Sequence, residues 1–383
     1  MSADTALDAP RWPAPVQRVR ELVLAHGWNA TAYQIVNPGI QHWFAAGGDA
    51  VVGYVRHART RVVAGAPVCA ADRLASVVEE FERASTAAGD HVCYFGAEAR
   101  LEQVLGGSSR HALLALGAQP AWRPTGFVEI VRSRSSLRAQ VNRARNKDVV
   151  VEEWRPGADA DRAALRRVLD EWLSTRGLPP LHFLVEPQTL DRLEDRLVFV
   201  ARRGGAVTAF VVTSPVPARR GWLVEQFVRG RAAVNGTIEL LLDAAVQRMA
   251  AHSAEYVTLG LAPLSRFGPR QTSDATWLRL VLRWVRAHGR RFYNFDGLDA
   301  FKAKFQPEWW EPVYAIARTG HGRTFPPRAL WAIAGAFGAR SPVTLMMHAV
   351  GRAAAQEARW LAARREHGDS TRSRASNPAG GRD

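Results

Sequence analysis

The sequence predicts a mixed α+β fold made of two tandem copies of one unit, each with a mixed central sheet flanked by helices. The chain of 383 residues is long enough for two domains of about 150 residues each. Its hydrophobic content of 47% supports a sizeable core and excludes a wholly disordered chain. An order of strands, loop, helix and strand also occurs twice along the sequence, which indicates duplication.

The first copy begins with two short apolar strands on either side of a turn, at residues 49–55 (DAVVGYV) and 61–68 (RVVAGAPV). A helix is expected over residues 72–87, because its apolar residues recur at a helical spacing. Gly89 is suited to end that helix. Residues 91–96 (HVCYFG) then predict a buried strand that completes the copy.

The second copy repeats this order. Strands are predicted at residues 197–201, 206–213 and 221–229, the last reading GWLVEQFVR. A helix is expected from residue 237 to about residue 251, since apolar side chains fall on one of its faces. Residues 256–261 (YVTLGL) close the copy as a strand.

Four segments follow from these patterns. Residues 1–150 are expected to form the first unit with a basic connecting helix, and residues 151–322 the second unit. Residues 323–366 are expected to form a C-terminal amphipathic helical extension. The polar, Gly- and Ser-rich residues 367–383 predict a disordered tail.

The charge balance indicates the kind of partner. Lys and Arg number 51 against 36 Asp and Glu, a formal net charge of +15, which favours a polyanion such as RNA or an anionic lipid surface. Only three of these basic residues are lysines, namely Lys147, Lys302 and Lys304. A lysine retained in so arginine-rich a chain is therefore more informative than an arginine.

Several features indicate a cytoplasmic protein. The first residues lack the basic and apolar regions of a signal peptide. Two cysteines, Cys69 and Cys93, are too few for a disulfide framework or a cysteine zinc site. The apolar run that begins at Ala329 is interrupted at Arg340, short of the roughly 20 apolar residues of a membrane span. We therefore expect a cytoplasmic location, with peripheral attachment to the inner face of the membrane left open.

The loop between the last strand and the helix of the second copy predicts an anion site. Residues 229–237 (RGRAAVNGT) lie where backbone N–H groups and a helix N-terminus favour a negative charge. The arrangement resembles the acyltransferase fold of the GNAT superfamily, whose acetyl-CoA loop usually reads R-x-x-G-x-G or R-x-x-G-x-A. Here Val234 stands in place of the first glycine, and its Cβ obstructs a pyrophosphate. An ordinary loop with Asn235 or Thr237 as helix cap is the alternative.

Five stretches together carry a more specific resemblance. They are YQIVNPGI at 33–40, WLVEQFVR at 222–229, NGT-x-E at 235–239, LGLAPLS at 259–265, and the run FYNFDGLDAFKAKFQPEWWEPVYAIA from Phe292. From about residue 33 to residue 317 the chain resembles the C-terminal catalytic domain of aminoacyl-phosphatidylglycerol synthases (the DUF2156 family), which consists of tandem GNAT-like units.

The resemblance implies aminoacyl transfer from aminoacyl-tRNA to a lipid hydroxyl such as that of phosphatidylglycerol, with the second unit catalytic. Well-known members carry a multi-span N-terminal flippase, which we do not expect here, so the acceptor is open. Because the ester is already activated, no cofactor and no metal are expected. An acyl-CoA-dependent N-acyltransferase and a non-catalytic RNA- or membrane-binding protein are the alternatives.

The resemblance and the residue types suggest three catalytic candidates. Lys304 is expected to contact the tRNA terminus or the developing oxyanion, with two solvated surface lysines as the alternative. In an extended stretch Lys302 would share the face of Lys304, whereas in a helix the two side chains would diverge by roughly 200°. Arg229 is a candidate clamp for a phosphate. Gln226 occupies the place where family members often have an acid, so Glu225 is a candidate base only if the strand bulges.

Other residues are expected to bind substrate or RNA. The substrate-binding candidates are Asn235, Gly236, Thr237, Asn294, Asp296, Lys302 and Trp309. Turn chemistry explains Asn294 and Asp296 equally well, and core packing is the alternative for Trp309 or its neighbour. Within the basic run 132–147, three arginines near one helix face are expected to track tRNA or anionic headgroups, unless the helix is a solvated linker. These are Arg134, Arg138 and Arg145.

Overall fold

The computed structural model describes residues 13–155, 159–175, 183–185, 189–269, 295–320, 322 and 324–338. Its strands form one sheet of twelve strands, which is continuous through both copies. The strands are β1 (Gln41–Phe44), β2 (Val51–His57), β3 (Thr60–Ala64), β4 (His91–Ala97), β5 (His111–Trp122), β6 (Val149–Trp154), β7 (Leu197–Arg203), β8 (Ala206–Val216), β9 (Gly221–Arg229), β10 (Tyr256–Thr258), β11 (Ala262–Pro263) and β12 (Trp309–Arg318).

Helices flank the sheet, as predicted for an α+β fold. They are α1 (Ala14–His26), α2 (Leu74–Ala87), α3 (Ala99–Leu105), α4 (Pro124–Ser133), α5 (Ser135–Arg145), α6 (Asp159–Ser174), α7 (Thr237–Ala251), α8 (Phe295–Ala303) and α9 (Pro327–Phe337). Among the described residues, no helix is both long enough and apolar enough to cross a membrane. Most of the predicted extension at 323–366 and all of the tail at 367–383 lie outside the described residues.

The two copies are confirmed by their matching topology. In the first copy β3 and β4 pair in parallel and α2 connects them. In the second copy β9 and β10 pair in parallel and α7 connects them. The other strand pairs in the sheet are antiparallel. Each copy therefore has a strand, a loop, a helix and a parallel strand, which is the GNAT-like order.

The copies exchange their last long strands. The strand order is β1-β2-β3-β4-β12-β5-β10-β9-β8-β7-β6, with β11 also paired to β5. Strand β12, from the end of the second copy, lies between β4 and β5 of the first. Strand β5 in turn pairs with β10 of the second copy. Separate sheets for the two copies would not give this order, and each copy's sheet is completed by the other.

The basic connection is two helices rather than one. Helix α4 ends at Ser133, and Arg134 adopts an extended conformation (φ −83°, ψ 111°) before α5 begins. Helix α5 then packs on α7 through the buried side chains of Leu137, Val141 and Ala144. The expectation of a single basic helix is therefore wrong at Arg134, although Arg138 and Arg145 share α5.

Candidate functional site

The predicted anion loop lies where β9 ends and α7 begins. Arg229, the last residue of β9, donates from Nη2 to the carbonyl oxygen of Ala233 (3.0 Å) and to Oδ1 of Asn235 (3.1 Å). Gly236 precedes α7 with φ +95°, a conformation that favours glycine, and Thr237 Oγ1 donates to the Val234 carbonyl. Arg229 thus stabilises the loop through these two hydrogen bonds, and both Arg229 and Asn235 are exposed to solvent.

The loop is covered from two sides. A Cβ placed on Gly236 would lie 2.0 Å from the carbonyl oxygen of Gln140, so the backbone of α5 packs directly on this glycine. On the other side, the Arg231 N–H donates to the Glu171 carboxylate of α6 (3.1 Å). The glycine therefore serves helix packing, and one loop amide already has an anionic partner. This arrangement disfavours the close pyrophosphate contact of a CoA site.

Lys304 is brought to the start of α7. Its ammonium forms an ion pair with Glu239, the third residue of α7, and lies over the rings of Phe301 and Phe305. The Lys304 side chain is 30% exposed and that of Glu239 is 13% exposed. The ion pair joins the FKAKF stretch to the NGT-x-E stretch, two pieces that are 65 residues apart.

The two lysines of FKAKF contact different partners, because the stretch is helical up to Ala303 rather than extended. Residues up to Ala303 form helix α8, and Lys302 points from it towards the end of β10. Lys302 is 3% exposed and donates from Nζ to the carbonyl oxygens of Gly260 (2.7 Å) and Leu261 (2.8 Å). Burial lowers the pKa of this ammonium to about 7. Lys302 therefore holds a strand end, while Lys304 lies beside the loop.

Asn294 lies outside the described residues, and only the backbone of Asp296 is described. The turn predicted at Asp296 and Gly297 is instead the first turn of α8. On the same helix Asp299 is 8% exposed and accepts a hydrogen bond from Ser265 Oγ (2.6 Å). This contact fixes the LGLAPLS segment against α8.

Glu225 does lie on a β-bulge, the condition for its predicted role. Thr213 pairs with Val224 and Val212 pairs with Gln226, so Glu225 is the extra residue. Its carboxylate is not free, however. It forms a buried ion pair with Arg196 (2.9 Å), and the two side chains are 3% and 0% exposed.

This ion pair anchors the YQIVNPGI segment. Arg196 Nη2 donates to Asn37 Oδ1 (2.9 Å), and the guanidinium carbon lies 4.8 Å from the centroid of the Tyr33 ring. Tyr33 in turn donates to Asp195 (2.7 Å). The structure thus places Glu225 in a buried network that joins the copies, with its carboxylate already paired.

Trp309 contacts a different set of residues from Lys304. Its indole N–H donates to Glu311 (2.9 Å), which is held by Arg219, and its ring packs near Tyr256. Burial raises the pKa of the neighbouring carboxyl of Glu98 to about 7, and the nearby Glu311 carboxylate adds to this rise while Arg219 opposes it. Trp309 is therefore part of a buried polar cluster between the copies.

Of the three predicted arginines, Arg138 and Arg145 lie on α5, and Arg134 immediately precedes it. Arg134 donates to the side chain of Gln306, just beyond Lys304. Arg138 donates to the Arg132 carbonyl (2.7 Å), and Arg145 pairs with Asp243 of α7 (3.3 Å). Helix α5 thus extends from the end of FKAKF to the glycine of the loop, with an exposed basic face.

In the first copy, the loop after β3 corresponds to the anion loop after β9, and side chains of the protein itself pack against it. Gly65 follows β3 with φ +75°, and its Cβ would lie 2.8 Å from Asn29 Nδ2 and 2.9 Å from Thr31 Oγ1. Asn29 also donates to the Gly96 carbonyl of β4. The cavity beside Trp28 measures only about 20 Å³, which accommodates one water molecule. The chain itself therefore occupies this cleft, and the second copy holds the candidate site.

Some partners were missed by sequence reasoning. Gln140 meets Gly236 through a backbone oxygen, which no residue type reveals. Gln306 was ignored although it directly follows FKAKF, and it contacts Arg134. Within the part of the chain that the structure describes, no group of three or more His, Cys, Asp or Glu side chains is arranged to hold a metal.

Comparison with known proteins gives a consistent family. The model of the phosphatidylglycerol lysyltransferase C-terminal domain matches residues 20–317. The phosphatidylglycerol lysyltransferase of Bacillus subtilis (strain 168) is 24% identical over 299 residues, covering 77% of this chain and 34% of that protein. The chain thus spans about a third of the length of the curated relative.

Two solved structures share the fold. L-PGS from Bacillus licheniformis superposes with a TM-score of 0.70 at 21% identity, covering 85% of this chain and 97% of that chain. The C-terminal domain (DUF2156) of a putative lysylphosphatidylglycerol synthetase from Agrobacterium fabrum gives a TM-score of 0.67 at 24% identity, covering 80% and 92%. With the family model covering most of the chain, this protein belongs to the family of phosphatidylglycerol lysyltransferase C-terminal domains.

Proposed function

We propose that this protein is an aminoacyltransferase that moves an aminoacyl group from aminoacyl-tRNA to a hydroxyl of a lipid such as phosphatidylglycerol. Family membership supports the transferase class. The single observation that carries the proposal is the placement of Lys304, which is partly exposed and pairs with Glu239 in the first turn of α7, directly after the anion loop. In this proposal the protein acts in the cytoplasm, at the inner face of the membrane.

The reaction needs positioning and charge stabilisation rather than a cofactor. The acceptor hydroxyl oxygen attacks the ester carbonyl carbon, the bond to the ribose oxygen breaks, and the acceptor proton passes to that oxygen. Lys304 is suited to stabilise the negative charge that develops on these oxygens. Glu239 holds the ammonium in place from the first turn of α7. The arginines of α5 would bind phosphates of the RNA, with Arg229 and Asn235 shaping the loop.

Exchanging Lys304 for another cation tests this role. In Lys304→Arg the charge is kept but the bulkier planar group does not fit the same contact, so we expect transfer to fall at least tenfold. The assay incubates the protein with labelled aminoacyl-tRNA and phosphatidylglycerol vesicles and counts label in the organic phase. Lys147→Arg is the matched control, since Lys147 is exposed beyond α5. Unchanged transfer by Lys304→Arg removes Lys304 from the mechanism.

The same preparation distinguishes the alternatives. An acyl-CoA-dependent enzyme would be protected by CoA against thermal unfolding, which the packing of α5 on Gly236 disfavours. A non-catalytic binding protein would bind RNA or vesicles without transferring label. Label in the organic phase that depends on Lys304 excludes both.

A further inference from the structure

An exposed aromatic stack lies near the candidate site. The rings of Phe267 and Trp310 are stacked, with centroids 4.4 Å apart and an interplanar angle of 14°. Phe267 is 41% exposed, a high fraction for a large apolar side chain. The guanidinium of Arg266 lies 4.9 Å from the centroid of the Phe267 ring and completes a platform that we call the aromatic shelf.

The shelf is on the same face of the sheet as Lys304. Side chains alternate along β12, so Trp309 and Trp310 point to opposite faces. Trp310 pairs with Pro120, which shares a face with Trp122, and the Trp122 indole donates to the Phe305 carbonyl. Trp310 therefore faces the side that carries FKAKF, whereas Trp309 faces the buried cluster.

The shelf is fixed in place. Gly117 has φ +147° and its Cβ would lie 2.2 Å from the Ala262 carbonyl oxygen, while a Cβ on Gly268 would lie 3.0 Å from the Gly117 backbone. Phe267 N donates to Ser265 Oγ (3.2 Å). A binding surface held this firmly loses little conformational entropy when a ligand stacks on it.

The shelf is also linked to α8, the helix that carries Lys302 and ends just before Lys304. Arg266 lies 3.6 Å from Asp299 of α8, and Ser265 Oγ donates to the same carboxyl group. Asp299 is one helical turn before Lys302. A ligand on the shelf therefore sits on the segment that α8 and β10 position.

We propose that the aromatic shelf of Arg266, Phe267 and Trp310 binds an unpaired nucleobase near the ester-bearing end of the RNA substrate. This inference rests on the proposed function. Bases stack on aromatic rings and on guanidinium planes, and a cation beside the ring also attracts the phosphate backbone. The net charge of +15 and the exposed arginines of α5 favour the same partner.

A lipid chain is the competing occupant, and the surface disfavours it. Insertion into a membrane requires several adjacent apolar side chains. Among the described residues, the large hydrophobic side chains that are exposed are Val104, Val150, Phe267 and Trp331. Phe267 is flanked in sequence by Arg266, whose side chain is 66% exposed. The shelf thus offers a stacked aromatic pair that carries a charge rather than an apolar patch.

Binding of a short unpaired RNA tests the inference independently of catalysis. The probe is a fluorescent single-stranded RNA of about eight nucleotides ending in adenosine, followed by anisotropy. We expect Phe267→Ala to weaken binding about 5- to 150-fold, which corresponds to the loss of one stacked base. Phe267→Trp is expected to keep the affinity, and Phe267→Leu to lose it, because Leu supplies apolar bulk without an aromatic face.

Trp331→Ala is the matched control, since Trp331 is 40% exposed but lies on α9. Its RNA affinity is expected to equal that of the wild type. Equal RNA affinity of wild type and Phe267→Ala overturns the inference, as does a loss confined to phosphatidylglycerol vesicles, which would assign the shelf to lipid.

The transfer assay separates this inference from the proposed function. If wild-type protein binds the RNA through Phe267 but transfers no label, RNA binding by the shelf is supported and the proposed function is refuted. If wild-type protein transfers label and Phe267→Ala shows an unchanged KM for charged RNA, the proposed function is supported and RNA binding by the shelf is refuted. If both proposals are correct, Phe267→Ala raises the KM for charged RNA by a larger factor than it lowers kcat.

Discussion

The buried ammonium of Lys302 should make the stability of this protein depend on pH. Its pKa falls from 10.5 in the unfolded chain to about 7 in the fold, because burial disfavours the charge. Between these two values the unfolded state holds more protons than the folded state. The free energy of unfolding should therefore rise with pH across this window.

The size of the effect follows from the two pKa values. Moving from pH 7 to pH 9 changes the contribution of this group by about 2 kcal/mol in favour of the fold. The variant Lys302→Met has no titrating group at this position, so its free energy of unfolding lacks this rise with pH. The stability difference between wild type and Lys302→Met should thus shift by about 2 kcal/mol over this range, whatever its value at pH 7.

Urea unfolding at pH 7, 8 and 9 measures this shift. Lys147→Met serves as control, because Lys147 is exposed and its replacement should change stability equally at each pH. The carbonyl oxygens of Gly260 and Leu261 favour the protonated form and oppose the effect of burial. If the difference between wild type and Lys302→Met is constant from pH 7 to pH 9, these acceptors keep the ammonium charged and the reasoning is refuted.

Two further substitutions test the packing around the candidate site. Gly236→Ala should lower the free energy of unfolding by about 2–5 kcal/mol, because of its positive φ and the contact with Gln140. Gly205→Ala is the control, because Gly205 has φ +79° and nothing within 4 Å, and its free energy of unfolding should fall by only about 1–2 kcal/mol. Equal losses for the two variants in thermal or urea unfolding would show that α5 does not pack tightly on the loop. Arg196→Met should cost about 3–5 kcal/mol by leaving Glu225 buried without its partner. Adding Glu225→Leu should restore much of that loss in urea unfolding, and a double variant no more stable than Arg196→Met would contradict this account.

Much of the fold was accessible from local patterns. The strands and helices of both copies lie within a few residues of their predicted positions, because apolar periodicity and turn residues are local signals. The exchange of β5 and β12 was not accessible. Strand pairing depends on contacts between segments that are distant in sequence. The sequence of residues 309–318 does not indicate that β4 is the strand beside it.

The site was predicted less well, for reasons that particular residues show. The spacing of Lys302 and Lys304 left open whether the stretch is extended or helical; it is helical up to Ala303, and Phe301 and Phe305 pack into the same core cluster. The apolar residues were visible in the sequence. Their burial contributes more to the stability of the local conformation than the placement of two charged side chains, so they decide it. Trp309 and Trp310 are adjacent, and only the register of β12 decides which of them faces Lys304's side of the sheet.

The exchanged strands determine when each half of the molecule is complete during synthesis. The first copy emerges from the ribosome early, but β4 lacks one neighbour until residues 309–318 arrive more than 200 positions later. Until then an apolar strand edge stays open to wrong partners. The half that is made first is therefore finished last, and rapid, faithful folding in the cell relies on keeping that edge covered while the ribosome completes the chain.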